Sequence, residues 1–334
     1  MNPNFPQNLS IQPSHRPQNP LLSATPSASD NSSVLPYDSD TVFSAQAQED
    51  AITKYGIAGR VWEAAYLMLL YLNPAPAYEF SPPPFLLDYA SPITAIELGA
   101  GTGIVGLALA ERLAVLGRQG DGVVLTDLPE VCPLLEENSR LHGEKAAVRG
   151  AEVVVKPLAW GSQEHAEAMA DGMRFGEHEG ARPLTHIVCS DLVYFPELLA
   201  PLLRSLLHLT SPPFVPSQSP AASPPSTAHV YPSPEVILSY KTRSLAKETP
   251  FWSAFGLWFS YSPVLVRARG APWARLGAAD DAFVFVARRR PESMGWRVPA
   301  EDGALLGGAG ARASEGHKSD DTFELLLLMG VYSD

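Results

Sequence analysis

Residues 97–103 read Glu-Leu-Gly-Ala-Gly-Thr-Gly, and Gly106 follows, so a carboxylate and four glycines fall within ten positions. Glycines let the backbone come close to a ligand, and the apolar segment 104–116 behind them offers free N–H groups at its start. Gly101, Gly103 and Gly106 also satisfy the dinucleotide spacing G-x-G-x-x-G, which alone is a weak signal. Two acids argue for a different ligand. Glu97 stands two residues before the first glycine, where it would repel a pyrophosphate but suit an amino group. Asp127 closes the next apolar run and can accept from both hydroxyls of a ribose.

A ligand carrying an ammonium, a sulfonium and an adenosine meets both acids, and S-adenosyl-L-methionine fits that description. A second stretch, 190-SDLVYFPE-197, places Asp191 and Tyr194 after another apolar run. A carboxylate beside an aromatic ring suits a flexible cation, since the carboxylate attracts it and the ring offers a π face. Lysine is the obvious cation. Trp160, in 158-LAWGS-162, and Trp62, in 59-GRVW-62, each carry two readings: a core side chain, or a flat wall beside an adenine. Cys132 and Cys189 have no disulfide or metal-ligand spacing and read as space-filling thiols, so no metal is expected.

These positions need a frame. Strand and helix patterns alternate: strands at 93–98, 123–127, 152–160, 186–191 and 235–243, and helices at 104–116, 196–209 and 247–259. A further helix carries Pro129 near its first turn and Gly143 just past its end. Gly117 should stop the helix that begins at 104. Such alternation predicts an α/β fold, a mostly parallel Rossmann-like sheet with helices on both faces. Ligands then bind outside the carboxyl ends of the strands, where strand order reverses. Three apolar runs remain, 264–269, 282–290 and 323–329, with little helix between them, so antiparallel pairing is expected at the C-terminal end. Either of the last two could be the seventh strand.

The chain has 334 residues, 46% apolar, enough for a sizeable core. Its 32 prolines cluster, which predicts a disordered tail over 1–46 and a disordered insertion over 211–234, where eight of them fall. Disorder is likewise expected over 163–184 and 297–320, and a single catalytic domain over 47–334. The net charge of −12 speaks against nucleic acid and for a basic protein partner. No signal peptide is read at the start, and the longest apolar run, 64–72, is far below the ~20 residues that span a bilayer. A soluble, monomeric, cytoplasmic protein with a nuclear share is expected, with no membrane partner.

The motif 97-ELGAGTG-103 resembles the first motif, E/D-x-G-x-G-x-G, of the seven-β-strand (class I) methyltransferases. With 59-GRVWEAAYLML-69, Asp127, 158-LAWG-161, 191-DLVY-194 and 240-YKTR-243, the chain is similar to methyltransferase-like family 16 of protein-lysine methyltransferases over roughly residues 52–290. Within it the chain looks most like the fungal enzymes of translation elongation factor 1-alpha. The resemblance implies that Trp62, Glu97, Gly99, Ala100, Gly101, Asp127, Trp160 and Ser190 contact the cofactor, Glu97 at its methionine end. It implies that Asp191 and Tyr194 face the substrate lysine, with Arg243 a partner contact. Asp191 would orient the nitrogen while the proton leaves to water. Alternatives remain: another protein or a small molecule as substrate, an inactive binding module, or an NAD-dependent oxidoreductase.

Overall fold

The computed structural model describes residues 4–6, 9–15, 41–86, 92–117, 120–145, 151–173, 183–215, 233–311 and 318–331. Helix α1 (Ala45–Tyr55) begins at Ser44, whose hydroxyl accepts the Ala47 N–H. A 3-10 turn (Gly56–Gly59) leads to α2 (Glu63–Leu72), in which every residue from Ala64 to Leu72 is buried. A helix apolar on all sides belongs inside a fold, and α2 packs across the sheet. After β1 (Tyr78–Ser81) come β2 (Thr94–Leu98), α3 (Ile104–Leu116), β3 (Gly122–Asp127), α4 (Cys132–Lys145), β4 (Glu152–Pro157) and α5 (Gln163–Gly172). Then follow β5 (His186–Ser190), α6 (Pro196–Leu209), β6 (Glu235–Lys241) and α7 (Leu245–Trp258). The chain continues with β7 (Phe259–Pro263), β8 (Leu265–Ala268), β9 (Ala274–Arg275), β10 (Ala282–Arg289), α8 (Asp302–Leu306) and α9 (Thr322–Val331).

Seven strands form one sheet in the order β4-β3-β2-β5-β6-β10-β7, and β10 runs antiparallel to both of its neighbours. The parallel pairs β2–β3 and β2–β5 lie on either side of the point where strand order reverses. This is the Rossmann-like arrangement expected, with its antiparallel strand at the C-terminal end. Alternation along each strand feeds two cores. Ile96, Leu98, Ile187, Cys189, Val236 and Leu238 face α6 and α7, whereas Ala95, Val123, Val188 and Ile237 face α2 and α3. Among the described residues no helix is long and apolar enough to cross a membrane.

Several expectations need correction. The run 323–329 is helix α9, not a strand, so 282–290 supplies the seventh strand. A short apolar run carries no period that separates helix from strand. Here Asp320 accepts the Thr322 N–H at the helix start, and Phe323 stacks on Trp252 at 4.9 Å. Strand β7 begins where helix 247–259 was expected to end, and α4 runs through Gly143. Segment 264–269 joins β1 and β9 in a separate small sheet.

The expected tail is packed in part. Ser14 donates from its N–H and its hydroxyl to buried Gln48, and the Asn4 carbonyl accepts the Ile57 N–H. Residues 1–3, 7–8 and 16–40 lie outside the described residues. Within 163–184, α5 starts on a Ser162 cap and buries Ala166, Met169 and Met173 at helical spacing; 174–182 lie outside. Within 297–320, α8 forms and Leu305 and Ala311 are buried; 312–317 lie outside. Of 211–234, Phe214 and Val215 are buried and 216–232 lie outside. The tail is held by hydrogen bonds, whereas in the other three stretches a few buried apolar side chains suffice to hold a short helix or turn.

Candidate active site

The carboxyl ends of β2, β3, β5 and β6 open onto a cavity of about 470 Å³. Trp62, Glu97, Gly99, Ala100, Gly101, Asp127, Trp160 and Ser190 all line it, and so do Asp191, Tyr194 and Arg243. Trp62 and Arg243, 181 positions apart in the chain, thus share one wall space.

The glycine turn explains the local shape. Gly99 has φ +56°, and a side chain there would also strike the Trp160 ring at 2.7 Å and Leu192 at 2.9 Å. Gly106 serves another purpose. A Cβ on it would lie 2.4 Å from a Glu97 oxygen and 2.2 Å from Leu125, and its N–H donates to Glu97 Oε2 at 2.7 Å. The third glycine of the dinucleotide spacing therefore makes room for the acid and needs no phosphate.

Glu97 is 2% exposed, and burial lifts its pKa to about 8 against the bond from Gly106, with Asp127 adding a smaller push. Asp127 accepts from Gly101 N–H at 2.8 Å through one oxygen and from Leu128 N–H at 2.7 Å through the other. Burial raises its pKa to about 6, the two backbone bonds opposing. Each bonded carboxylate oxygen keeps a further acceptor direction, so Asp127 can still take ribose hydroxyls. Two acids poised above their usual range inside a cleft suit a ligand that brings positive charge and hydroxyl donors.

The aromatic positions divide. Trp160 meets Tyr194 edge-on at 6.3 Å, forming a continuous wall. Trp62 donates its indole N–H to the Ile57 carbonyl at 3.0 Å and carries the Arg60 and Arg243 guanidiniums at 4.5 Å and 5.4 Å from its ring. Half-buried rather than a core side chain, Trp62 fixes the 57–62 loop and lines the cavity. Ser190 accepts from the Ser239 hydroxyl at 3.2 Å, tying β5 to β6.

Asp191 has φ +62°, a strained value for a residue with a side chain, and is held by its N–H to the Ser239 carbonyl. Its carboxylate is not a lone anion. Arg243 donates to both oxygens, at 2.7 and 2.6 Å, so the expected partner contact is instead an internal fork. Burial raises the Tyr194 pKa, and the neighbouring acids add to it, so the phenol stays neutral.

Other lining residues were not foreseen. Asn4 and Leu9 come from the supposed tail, and Lys247 and Glu248 from the start of α7. Glu248 is buried and accepts from the N–H groups of Arg243 and Ser244 and from the Tyr240 hydroxyl. Glu63, just behind Trp62, pairs with Arg60 and sits 3.5 Å from Arg243. A carboxylate directly following a site tryptophan was a legible signal; Asn4 and Leu9 left none.

Comparison with known proteins agrees with this geometry. A family model described as lysine methyltransferase matches residues 44–215. The chain is 31% identical over 126 residues to the protein-lysine N-methyltransferase EFM6 of Saccharomyces cerevisiae, covering 36% of this chain and 46% of that one. To the protein N-lysine methyltransferase METTL21A of Xenopus tropicalis it is 30% identical over 156 residues, 47% of this chain and 57% of the relative. To the EEF1A lysine methyltransferase 3 of Mus musculus it is 31% identical over 160 residues, 48% and 54%. The match thus spans about half the length of these curated relatives. With more than half of its residues matched by the family model and its acids and glycine turn gathered at one sheet edge, the chain belongs to the lysine methyltransferase family.

Proposed function

We propose that this chain transfers a methyl group from S-adenosyl-L-methionine to the side-chain nitrogen of a lysine in translation elongation factor 1-alpha. The observation that carries the reading is one cavity holding both kinds of chemistry. It combines two buried acids on a glycine turn with an acid, an arginine and a phenol ring after β5 and β6. The donor is the one this family uses, and when bound it supplies a methyl group on a cationic sulfur that a neutral amine can displace.

The residues present fit that donor. Glu97, once ionised, offers its charge to the ammonium, and Asp127 offers its remaining acceptor positions to the ribose hydroxyls. Trp160 and Tyr194 exclude water and give the lysine stem an apolar slot. Asp191 accepts one N–H of the incoming amine and so sets the direction of its lone pair. Such chemistry needs no covalent catalyst, only alignment within a dry, preorganised site.

The choice of elongation factor 1-alpha rests on the name of the mouse relative and on charge. A net charge of −12 would steer a basic partner toward this surface. Action as a monomer on a soluble cytoplasmic protein, with a nuclear share, belongs to the same proposal. The test incubates the full chain with labelled S-adenosylmethionine and purified elongation factor 1-alpha, then a whole-cell lysate. Label on a lysine of the factor, at a rate that falls with salt, is expected. Label on another protein would overturn the target and keep the chemistry. A chain that fails to bind S-adenosylhomocysteine would overturn both.

A further inference from the structure

A carboxylate that simply faced a lysine ammonium would be the wrong electrostatics for this chemistry. An ion pair in a buried slot holds the proton on the nitrogen and leaves no lone pair to attack. The structure avoids that arrangement. Asp191, whose side chain is wholly buried, is covered on both oxygens by the Arg243 guanidinium. Arg243 in turn donates to the Lys241 carbonyl at 3.1 Å and lies 3.5 Å from Glu63, which is also paired to Arg60. Two acids and two guanidiniums thus close on one another beside the Trp62 ring.

We propose that Arg243 is a positioning residue that keeps this end of the cavity electrically neutral, so that the substrate amine is taken up uncharged. The inference rests on the lysine-methylation reading. With Asp191 already neutralised, an entering ammonium meets no unpaired anion and does meet the guanidinium. Loss of hydration and the like charge both favour shedding the proton to bulk water before entry. The neutral amine keeps two N–H groups and one lone pair. Asp191 can accept one N–H while still bonded to Arg243, because each carboxylate oxygen takes two hydrogen bonds. At neutral pH a free lysine, with a pKa near ~10.4, is uncharged in under roughly one part in a thousand, and each unit of lowering raises that fraction tenfold.

The other charged groups around the pair are consistent with this balance. From α2 come Glu63 and, just before it, Arg60. From α7 come Lys247, and Glu248, which is engaged by backbone N–H groups and Tyr240. The loop after β5 supplies Tyr194, kept neutral by burial, and the first turn of α6 supplies Glu197, which Tyr194 feels electrostatically. Glu97 and Asp127 line the same cavity and are the acids assigned to the donor.

The experiment uses the full chain and the variants Arg243→Gln and Arg243→Lys, saturated with S-adenosylhomocysteine. Binding of n-butylamine, a bare lysine side chain with a pKa near lysine's ~10.4, is followed by ligand-observed NMR from pH 7 to 9.5. In the parent protein the apparent affinity should rise nearly tenfold per pH unit, the mark of a neutral ligand. In Arg243→Gln, Asp191 is unmasked and the affinity should become flat or fall with pH. Arg243→Lys keeps a cation without the fork and should fall between. On a labelled protein substrate, the acidic limb of the kcat–pH profile, which reports the bound state, should move up by a unit or more in Arg243→Gln. A purely structural arginine would lower kcat at all pH values alike. Parent protein that binds butylamine as the ammonium, or not at all, overturns the proposal even where methyl transfer is intact. Absence of methyl transfer to any lysine, with the amine titration as expected, overturns the functional reading instead.

Discussion

Replacing Glu97 by glutamine isolates what a buried, proton-holding acid does to this protein. The folded carboxyl has its pKa near 8 while the unfolded chain has about 4.5, so between these values the folded state retains a proton that the unfolded state releases. Stability from this group is therefore complete below the unfolded pKa and is lost as pH rises toward 8, with a slope of up to ~1.36 kcal/mol per unit. Over that window the loss amounts to roughly 3–5 kcal/mol. Glutamine has no charged form, and its carbonyl can still accept the Gly106 N–H. Whatever the buried amide itself costs is the same at every pH. The stability of Glu97→Gln relative to the parent should thus improve by roughly 3–5 kcal/mol between pH 4.5 and pH 8, measured by urea unfolding at intervals. Asp127 contributes its own slope to both proteins and cancels from the difference. Calorimetry supplies the functional half: S-adenosylhomocysteine affinity in the parent should rise from pH 6 to 8 as Glu97 ionises for the ligand's ammonium. In the variant that rise should shrink to the part Asp127 provides, and affinity at pH 8 should be lower. A stability gap that is the same at pH 4.5 and pH 8 would refute the reasoning, because Glu97 would then not hold the proton.

Asp127→Ala should weaken S-adenosylhomocysteine by about 1.5–3 kcal/mol in calorimetry, the range of charge-assisted hydrogen bonds, and should also loosen the Gly101 turn. Asp191→Ala should keep cofactor affinity yet lower turnover about 10²-fold, a loss of positioning; equal turnover would remove this residue from the chemistry. Tyr194→Phe keeps the ring beside Trp160 and should be impaired less than Tyr194→Ala in the same assay, whereas equal impairment would assign the effect to the hydroxyl. Phe214→Ala, at a residue 5% exposed within the proline-rich stretch, should cost about 3 kcal/mol in thermal or urea unfolding. A neutral result there would show that 211–215 contribute nothing to the core.

Legibility followed the range of the interaction. Helices α3 and α6 have the bounds their apolar spacing predicts, and Gly117 at φ +66° ends α3 because only a residue without Cβ takes that conformation cheaply. Every site position singled out from the sequence lines the cavity: all but Trp62, which precedes α2, stand at or just after a strand end, and the parallel sheet gathers those ends at one edge. What did not show was pairing across the chain. The Asp191–Arg243 fork joins residues 52 apart, and no local pattern at 191-DLVY-194 reports that its carboxylate is already taken. Asn4 accepts the Ile57 N–H through its backbone carbonyl, a contact that composition cannot foretell. Helix α9 was obscured for the opposite reason, because four successive leucines hide any period.

The nesting of Glu97, Gly106 and Leu125 also constrains how such sequences can drift. The Glu97 oxygen and the Leu125 methyl fill the volume that a Cβ at Gly106 would need, at 2.4 and 2.2 Å. No single replacement at 106 can be neutral while both neighbours stay long. Aspartate at 97 would withdraw the oxygen, and valine at 125 would withdraw the methyl; only with both could alanine settle at 106. The three positions should therefore covary as a unit across relatives. A chain with alanine there should carry the shorter acid and the shorter aliphatic residue together, and its cofactor acid would stand farther from the first turn of α3.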